Sequence, residues 1–227
     1  MNSDGVVYVV DDDAGIRKAL GRLFRSVGLD VLTFPTAQAF IDTAPPHRPA
    51  CLVLDVRLPG LGGLDLQSRL GPDQQTLPVV FITGYGNVPM SVRAMKGGAV
   101  DFLQKPFEDE DLLAAVRRAL ALSRRAVAES VTRADIQQRL DTLTRREREV
   151  LKLVVTGMLN KQIASELGAA EKTIKVHRGR VMHKMKVTSV AELVRITEMA
   201  GLDTRAAPGR LRPASTGLAD PDTHKVP

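Results

Sequence analysis

Short apolar runs alternate with amphipathic stretches along the first 120 residues. The runs that predict strands are residues 6–10 (VVYVV), 31–34 (VLTF), 51–56 (CLVLDV), 77–83 (LPVVFIT) and 99–105 (AVDFLQK). Helical periodicity fills the intervals, at about 14–27, 36–44, 63–70, 88–97 and 108–123. Because unbroken β-branched runs are typical of strands buried on both faces, the pattern predicts a doubly wound α/β fold with a five-stranded parallel sheet between two layers of helices.

The second half of the chain has helical periodicity only. Residues 119–142 contain few helix breakers and many charges, which predicts a helical extension or linker. Thr144 followed by Glu147 is a capping-box signature, and it opens an all-α domain with helices at about 145–156, 160–167, 171–185 and 189–199. The pattern therefore predicts four segments, at residues 1–122, 123–141, 142–200 and 201–227, of which the last is rich in Pro, Gly, Ala and Thr and is expected to be disordered.

Composition excludes several classes of protein. No run approaches 18 apolar residues, and residues 1–10 lack the basic start and apolar stretch of a signal peptide, so we expect a cytoplasmic protein with no membrane partner. The only cysteine is Cys51, which excludes a disulfide framework and a thiolate metal cluster. We expect Cys51 to be a small core residue.

The two halves of the chain carry opposite charge. Residues 1–120 contain 12 Lys and Arg against 14 Asp and Glu, whereas residues 121–227 contain 20 against 12. Such asymmetry indicates nucleic acid or another anionic partner for the second half. Because all eight aromatic residues precede residue 108, stacking on single-stranded bases is not expected in the second half.

Chemically active side chains recur where predicted strands end. They are Asp11, Asp12, Asp55, Thr83 and Lys105. In a parallel sheet these ends share one edge, so we expect three carboxylates, a hydroxyl and an ammonium group to meet in one shallow pocket. Converging carboxylates commonly hold a hard divalent cation such as Mg²⁺. Asp13, the third of three consecutive aspartates, is expected to cap the following helix or to remain a solvated charge.

Several motifs of the first half, VVDDD, LVLDVRLPGLGGLDL and VVFITGYGNVPMSVRAMKGGAVDFLQKPF, resemble the receiver domain of bacterial two-component response regulators. The resemblance covers about residues 4–122 and implies a flavodoxin-like fold. It implies that a partner histidine kinase phosphorylates Asp55, and that Mg²⁺ is bound directly by Asp12 and through water by Asp11. The Asp55 carboxylate and the backbone carbonyl of Arg57 would supply further oxygen ligands.

The resemblance also assigns roles to residues of the fourth and fifth strands. Lys105 would neutralise charge on the transferring phosphoryl group, and Thr83 would donate a hydrogen bond to a phosphoryl oxygen. Phe102 matches the aromatic switch residue of the family, whose ring would turn inward to fill the space that Thr83 leaves. A cis peptide before Pro106 would aim Lys105, as in the family.

A helix-turn-helix pattern covers residues 161–185, with a Gly-containing turn at 167–170. Six cations face the single acid Glu171 over residues 171–186, an excess that points to phosphate. Ile174, Val181 and Met185 form an apolar side at helical spacing. The candidate DNA contacts are Lys161, Lys172, Thr173, Lys175, Val176, His177, Arg178, Arg180 and Lys184. A neutral surface role for His177 remains equally open.

Residues 143–197 resemble the LuxR-type C-terminal domain, a four-helix unit. With the receiver in front, the whole chain resembles a FixJ-type response regulator of the NarL/FixJ group. The resemblance implies that the 171–185 helix enters the major groove of promoter DNA, and that the 189–199 helix supports a two-fold dimer. One departure is Ala170, where family members often carry a capping Ser.

The leading hypothesis is a phosphorylation-activated transcriptional regulator that forms a homodimer when phosphorylated and acts on promoter DNA, with RNA polymerase as a further partner. Its catalysis would be limited to its own phosphorylation and dephosphorylation. An alternative is a stand-alone Mg²⁺-dependent phosphatase of the haloacid dehalogenase type with a nucleic-acid tether, because Asp11 and Asp13 form D-x-D. That family expects Thr or Val where this chain has Gly15. A third hypothesis is an interaction module that binds partners regardless of phosphate.

Overall fold

Strands and helices alternate strictly through the first part of the chain. The structure, a computed structural model, describes residues 5–43, 48–71, 76–85 and 87–202. Its strands are β1 (Val6–Val10), β2 (Asp30–Phe34), β3 (Ala50–Asp55), β4 (Val79–Thr83) and β5 (Asp101–Gln104). The intervening helices are α1 (Ala14–Ser26), α2 (Ala37–Ile41), α3 (Gly63–Leu70), α4 (Val88–Lys96) and α5 (Asp109–Asp141). Each element predicted here is present with ends shifted by a few residues, except that α5 continues through the segment predicted as a helical extension or linker to Asp141.

All five strands are parallel, in the order β2-β1-β3-β4-β5. Every residue of β1, β3 and β4 is buried, and separate apolar clusters cover the two faces of the sheet. This confirms the doubly wound fold. Because the strand order reverses between β1 and β3, the crevice at their carboxyl ends is the place where such a fold binds its ligand.

Helix α5 is 33 residues long and changes its surroundings along its length. Its first part packs on the sheet through Leu112, Val116 and Leu120. The buried hydroxyl of Ser123 accepts a hydrogen bond from the Ala50 backbone N–H (2.9 Å) and donates one to the Thr76 carbonyl. Residues 124–135 are then mostly exposed. The chain divides into two compact units after residue 132, within this helix.

The second unit is entirely helical in its described part. After the end of α5 it contains α6 (Arg145–Val155), α7 (Asn160–Glu166), α8 (Glu171–Lys184) and α9 (Val190–Met199). Its core is formed by these helices together with Ile136 and Leu140 from the end of α5. The predicted capping box is present, with Thr144 and Glu147 each accepting a hydrogen bond from the other's backbone N–H.

Two further predictions concern the remaining parts of the chain. Cys51 is a buried core residue, as expected. The predicted disordered tail lies outside the described residues from residue 203 onward. Within the described part of the chain, the helices all lack the combination of length and apolar character needed to cross a lipid bilayer.

Candidate functional site

Three aspartates meet where β1 and β3 end. β1 and β3 are neighbours in register, so Asp11, directly after β1, lies beside Asp55, the last residue of β3. Single carboxylate oxygens of Asp11, Asp12 and Asp55 all lie within 4.8 Å of one another. Asp11 is completely buried, Asp55 is nearly so, and Asp12 is exposed. The group of three carboxylates is therefore closed off by the sheet at Asp11 and Asp55 and open to solvent at Asp12.

Lys105 faces the same group from β5. Its Nζ lies 2.6 Å from Oδ2 of Asp11 and 3.7 Å from Oδ2 of Asp55. The Lys105 backbone N–H donates to the Thr83 carbonyl (2.8 Å), which continues the pairing of β4 with β5. The Lys105–Pro106 peptide bond is cis, as the resemblance implied. The structure thus places one ammonium group against two of the three carboxylates.

The Asp55 carboxylate is only partly satisfied. Its Oδ1 is buried and has no hydrogen-bond partner among the described residues. Burial raises the pKa of Asp55 above its ordinary value; Lys105 lowers it, but the negative charge of Asp11 raises it again. A buried oxygen without a partner, next to two further carboxylates, suits a hard cation that takes oxygen ligands. The residues present therefore fit Mg²⁺, with Asp11, Asp12 and Asp55 as the side chains able to hold it.

Asp13 is not part of this group. Its Oδ1 caps α1 by accepting hydrogen bonds from the backbone N–H groups of Gly15 (2.6 Å) and Ile16 (3.1 Å). These two bonds, Ile16 first, hold the pKa of Asp13 below its ordinary range. Of the two roles left open by the sequence, capping is the one observed.

Residues of β4 and β5 complete the wall of the pocket. Thr83 is fully buried, and its Oγ1 accepts a hydrogen bond from the Tyr85 backbone N–H (3.3 Å). Phe102 is half-buried, and its ring centroid lies 6.3 Å from that of Phe81. The hydroxyl expected to contact a phosphoryl group is therefore engaged with its own loop in this structure.

One contact between the loops that follow β3 and β4 was not predicted from the sequence. The Arg57 guanidinium carbon lies 4.5 Å from the centroid of the Tyr85 ring, within the range of a cation–π interaction. Each residue stands two positions after a strand end, Arg57 after β3 and Tyr85 after β4. The matching offsets of a cation and an aromatic residue are a signal only once β3 and β4 are known to be neighbours, which the structure shows.

Gly63 allows α3 to begin directly against the strand that carries Asp55. A Cβ at residue 63 would lie 2.2 Å from the Asp55 carbonyl oxygen, which is far below van der Waals contact. The Gly63 N–H also donates to the Val56 carbonyl (3.0 Å). On the Thr83 side, by contrast, a Cβ at Gly84 would meet nothing within 4 Å.

In the second unit, α8 presents a polar face to solvent. Ile174, Val181 and Met185 are buried, as their spacing predicted. The exposed candidate contacts on α8 are Lys172, Thr173, Lys175, Val176 and Arg180, and Lys161 is exposed on α7. Ala170 precedes α8 in extended conformation and provides no side-chain cap. The cationic residues of this face are spread along the helix rather than gathered in a pocket.

Three of the candidate DNA contacts are partly buried. Nη1 of Arg178 donates to Asn160 Oδ1 of α7 (3.1 Å). The His177 Nδ1 is buried without a partner among the described residues. Nζ of Lys184 lies 2.6 Å from Oε2 of Glu147. Lys184 therefore differs from the exposed cations, because its charge already has a partner within the domain.

Family models match both units. The model described as the response regulator receiver domain matches residues 7–117, and that of the luxR family of bacterial regulatory proteins matches residues 141–197. The transcriptional regulatory protein FixJ of Bradyrhizobium diazoefficiens is 43% identical, over 89% of this chain and 98% of its own. The chain belongs to the FixJ-type response regulators.

Other relatives support the same membership in this group of response regulators. Nodulation protein W of Bradyrhizobium diazoefficiens is 49% identical over 88% of both chains, and the response regulator TmoT of Ectopseudomonas mendocina is 45% identical over 87% of this chain and 90% of its own. The structure of the response regulator StyR matches with a TM-score of 0.76 at 46% identity, covering 86% of this chain and 98% of its own.

The membership decides between the hypotheses drawn from the sequence. A response regulator with a receiver and a LuxR-type DNA-binding domain is a phosphorylation-activated transcriptional regulator, with a histidine kinase and DNA as partners. The haloacid dehalogenase alternative has no support, and its D-x-D pattern is explained by the capping role of Asp13.

Proposed function

We propose that Asp55 is the phosphoacceptor of this response regulator and that Mg²⁺ is required for its phosphorylation. The observation that carries the proposal is the buried Asp55 carboxylate, with one oxygen unpartnered and with Asp11, Asp12 and Lys105 around it. Burying a carboxylate oxygen without a hydrogen-bond partner is unfavourable, and a bound cation or a covalently attached phosphoryl group would remove that penalty.

In the proposed reaction, an Asp55 carboxylate oxygen attacks the phosphorus of a phosphohistidine on a sensor kinase. A P–O bond forms, the P–N bond breaks, and the imidazole leaves with the bonding electron pair. Lys105 neutralises part of the charge on the phosphoryl oxygens. When bound by Asp11, Asp12, Asp55 and the Arg57 backbone carbonyl, Mg²⁺ supplies further charge neutralisation.

The proposed switch acts through Thr83. The hydrogen bond from the Tyr85 backbone N–H to Oγ1 breaks, and the Thr83 hydroxyl donates a hydrogen bond to a phosphoryl oxygen on Asp55. This movement draws the loop after β4 toward the site. The half-buried ring of Phe102 then turns into the space that Thr83 leaves. This rearrangement shifts the population of the receiver toward the state that forms a homodimer.

The proposed output is binding of promoter DNA by α8, the recognition helix, in the major groove, with α9 supporting a two-fold dimer. Lys172, Lys175 and Arg180 would contact phosphates. The other candidates would lie nearer to the base edges or to the sugar-phosphate backbone of the DNA; they are Lys161, Thr173, Val176, His177 and Arg178. RNA polymerase is proposed as a further partner at the promoter. These partners place the proposed activity in the cytoplasm.

The phosphoacceptor is tested with a small phosphodonor, acetyl phosphate, in the presence and absence of Mg²⁺. We expect stable incorporation of one phosphoryl group in the wild type with Mg²⁺ and none in the D55N variant. Asp65→Asn is the matched control, because Asp65 is an exposed carboxylate whose partner is Arg93 on the surface. Incorporation in D55N equal to that of the control would contradict the assignment of Asp55.

DNA binding is tested by footprinting on a duplex that the phosphorylated protein selects from fragments of the source genome. We expect two protected half-sites about one helical turn apart, roughly 34 Å, with protection that increases on phosphorylation and falls steeply with salt. Absence of a discrete footprint in the phosphorylated protein would contradict the proposed output.

A further inference from the structure

Glu147 is a buried carboxylate that joins three parts of the second unit. Its side chain is 3% exposed, and its Oε2 accepts hydrogen bonds from the Thr144 backbone N–H (2.9 Å) and from Nζ of Lys184 (2.6 Å). Burial alone would raise the pKa of Glu147, but the bonds from Lys184 and Thr144 hold it below its ordinary value. Glu147 is therefore charged in its buried position, and Lys184 is the cation that balances it.

Lys184 is the last residue of α8, and both of its described contacts are internal. Besides Glu147, its Nζ donates to the Thr142 carbonyl (3.0 Å), and its side chain is only 32% exposed. A move of this ammonium group to a DNA phosphate would leave the Glu147 charge buried without its counterion. Breaking one partner of a buried pair is strongly unfavourable, so this move is opposed.

A second cation holds the same end of α8. Nη1 of Arg139, near the end of α5, donates to the Met185 carbonyl (3.1 Å), and Met185 is the fully buried C-cap residue of α8. Lys186 follows in the left-handed conformation with φ 55°, which ends the helix there. The C-terminal end of the helix is thus tied at two adjacent residues to the segment 139–147.

From these contacts we infer that Glu147, Lys184 and Arg139 form a clamp that fixes the orientation of the recognition helix, and that Lys184 is a positioning residue rather than a phosphate contact. The cationic residues that remain for DNA lie further toward the N-terminal and middle turns of α8. The inference rests on the proposed role of α8 as the recognition helix.

The test is a double-mutant cycle of E147Q, K184M and E147Q/K184M, measured as DNA affinity over a salt series. Gln at residue 147 can still complete the capping box, so E147Q removes the charge and keeps the cap. We expect K184M to lower affinity on the order of 10-fold and E147Q to lower it by a smaller factor. The double variant should bind DNA more tightly than K184M, because no buried charge remains unpaired and Arg139 still holds the end of α8.

The salt dependence separates positioning from phosphate contact. In E147Q/K184M the slope of log affinity against log salt should equal that of the wild type. K172M, at an exposed lysine of the same helix, is the control, and its slope should be shallower by about 0.9. Unfolding of each variant is followed in parallel, so that affinity refers to folded protein. If K184M proves unfolded, the slope of E147Q/K184M decides by itself, because that variant leaves no buried charge without a partner.

Two results would overturn the inference. The first is an E147Q/K184M variant whose affinity is as low as that of K184M and whose slope of log affinity against log salt is shallower than the wild-type slope by about 0.9. The second is an E147Q variant that binds DNA more tightly than the wild type. Both results indicate that Lys184 contacts a phosphate. If K184M is unfolded, a slope shallower by about 0.9 in E147Q/K184M is sufficient to overturn it. Failure of the proposed function is a different outcome, because K172M would then leave both affinity and slope unchanged.

Discussion

The two units use charge in opposite ways. In the receiver, sheet topology brings Asp11, Asp55 and Lys105 from three strand ends into contact, and one carboxylate oxygen stays buried without a partner. On α8, the cations follow helical periodicity along an exposed face, and none of the exposed ones depends on another. A converged site fails when one member is lost, whereas a distributed face weakens by degrees. Each of the following variants tests or sharpens this distinction.

The largest effect is expected at Lys105. Lys105→Met removes the ammonium group that faces Asp11 and Asp55, so the rate of phosphoryl incorporation from acetyl phosphate should fall by about 100-fold. Lys96→Met, at an exposed position in the last turn of α4, should leave the rate unchanged. A loss of only a few fold at Lys105 would mean that the converged group does not act as a unit.

A graded effect is expected on α8. Lys172→Ala and Lys175→Ala should each lower DNA affinity by several fold, and each should make the salt slope shallower by about 0.9, additively in the double variant. The measurement is fluorescence anisotropy with the footprinted duplex over a salt series. Lys18→Ala, at an exposed position on α1, serves as the control and should change neither quantity. Complete loss of binding from one substitution would contradict the distributed arrangement.

A smaller effect is expected on the stability of the receiver. Because the folded-state pKa of Asp55 is raised, the wild type loses stability as the pH rises from the ordinary Asp value of about 3.9 through the folded-state pKa. Asp55→Asn removes this loss and should raise the free energy of unfolding at pH 7.5 by on the order of 1 kcal/mol in the presence of a chelator. The gain should vanish toward acid pH.

Urea denaturation of the receiver transition at several pH values checks this expectation. Mg²⁺ should stabilise the wild type more than D55N, since only the wild type offers all three carboxylates. A D55N variant less stable than the wild type at pH 7.5 without metal would show that the Lys105 pairing outweighs the burial of Asp55.

The smallest effect is expected at the start of α8. Ala170→Ser supplies the capping oxygen that the helix lacks, in a backbone conformation already suited to a cap, and should stabilise the second unit by about 0.5–1 kcal/mol. Thr144→Ala, which removes an existing cap from α6, should change stability in the opposite direction by a similar amount. Thermal unfolding measures both, and a salt slope unchanged in A170S would show that only stability was affected.

Apolar periodicity predicted most of the fold because it reports local burial. The runs at β1, β3 and β4 are continuous and are buried on both faces in the structure, so their assignment and the parallel sheet follow together. The convergence of Asp11, Asp12 and Asp55 was predicted from their positions at the ends of parallel strands. The sequence left open whether residues 119–142 are a helical extension or a linker. Residues 124–135 are mostly exposed, so no buried face imposes an apolar periodicity on them.

Contacts between distant segments were beyond reach of the sequence. The sequence made Lys184 a candidate DNA contact, and only the packing of α6 against α8 shows that Glu147, 37 positions earlier, is its partner. Likewise, the structure decided between the two roles left open for Asp13, because its extended backbone lets its carboxylate accept hydrogen bonds from the first turn of α1. The Arg57 and Tyr85 contact required the neighbouring positions of β3 and β4 to be known in three dimensions.

Gly63 has a mechanical consequence for the receiver. With no side chain at this residue, the start of α3 packs directly on the Asp55 backbone, so a displacement of one is transmitted to the other. At Gly84, by contrast, an added Cβ would meet nothing within 4 Å, so the backbone beside Thr83 is packed less closely than the backbone beside Asp55. A displacement at Asp55 is therefore opposed by close packing on the α3 side and meets open space on the Gly84 side.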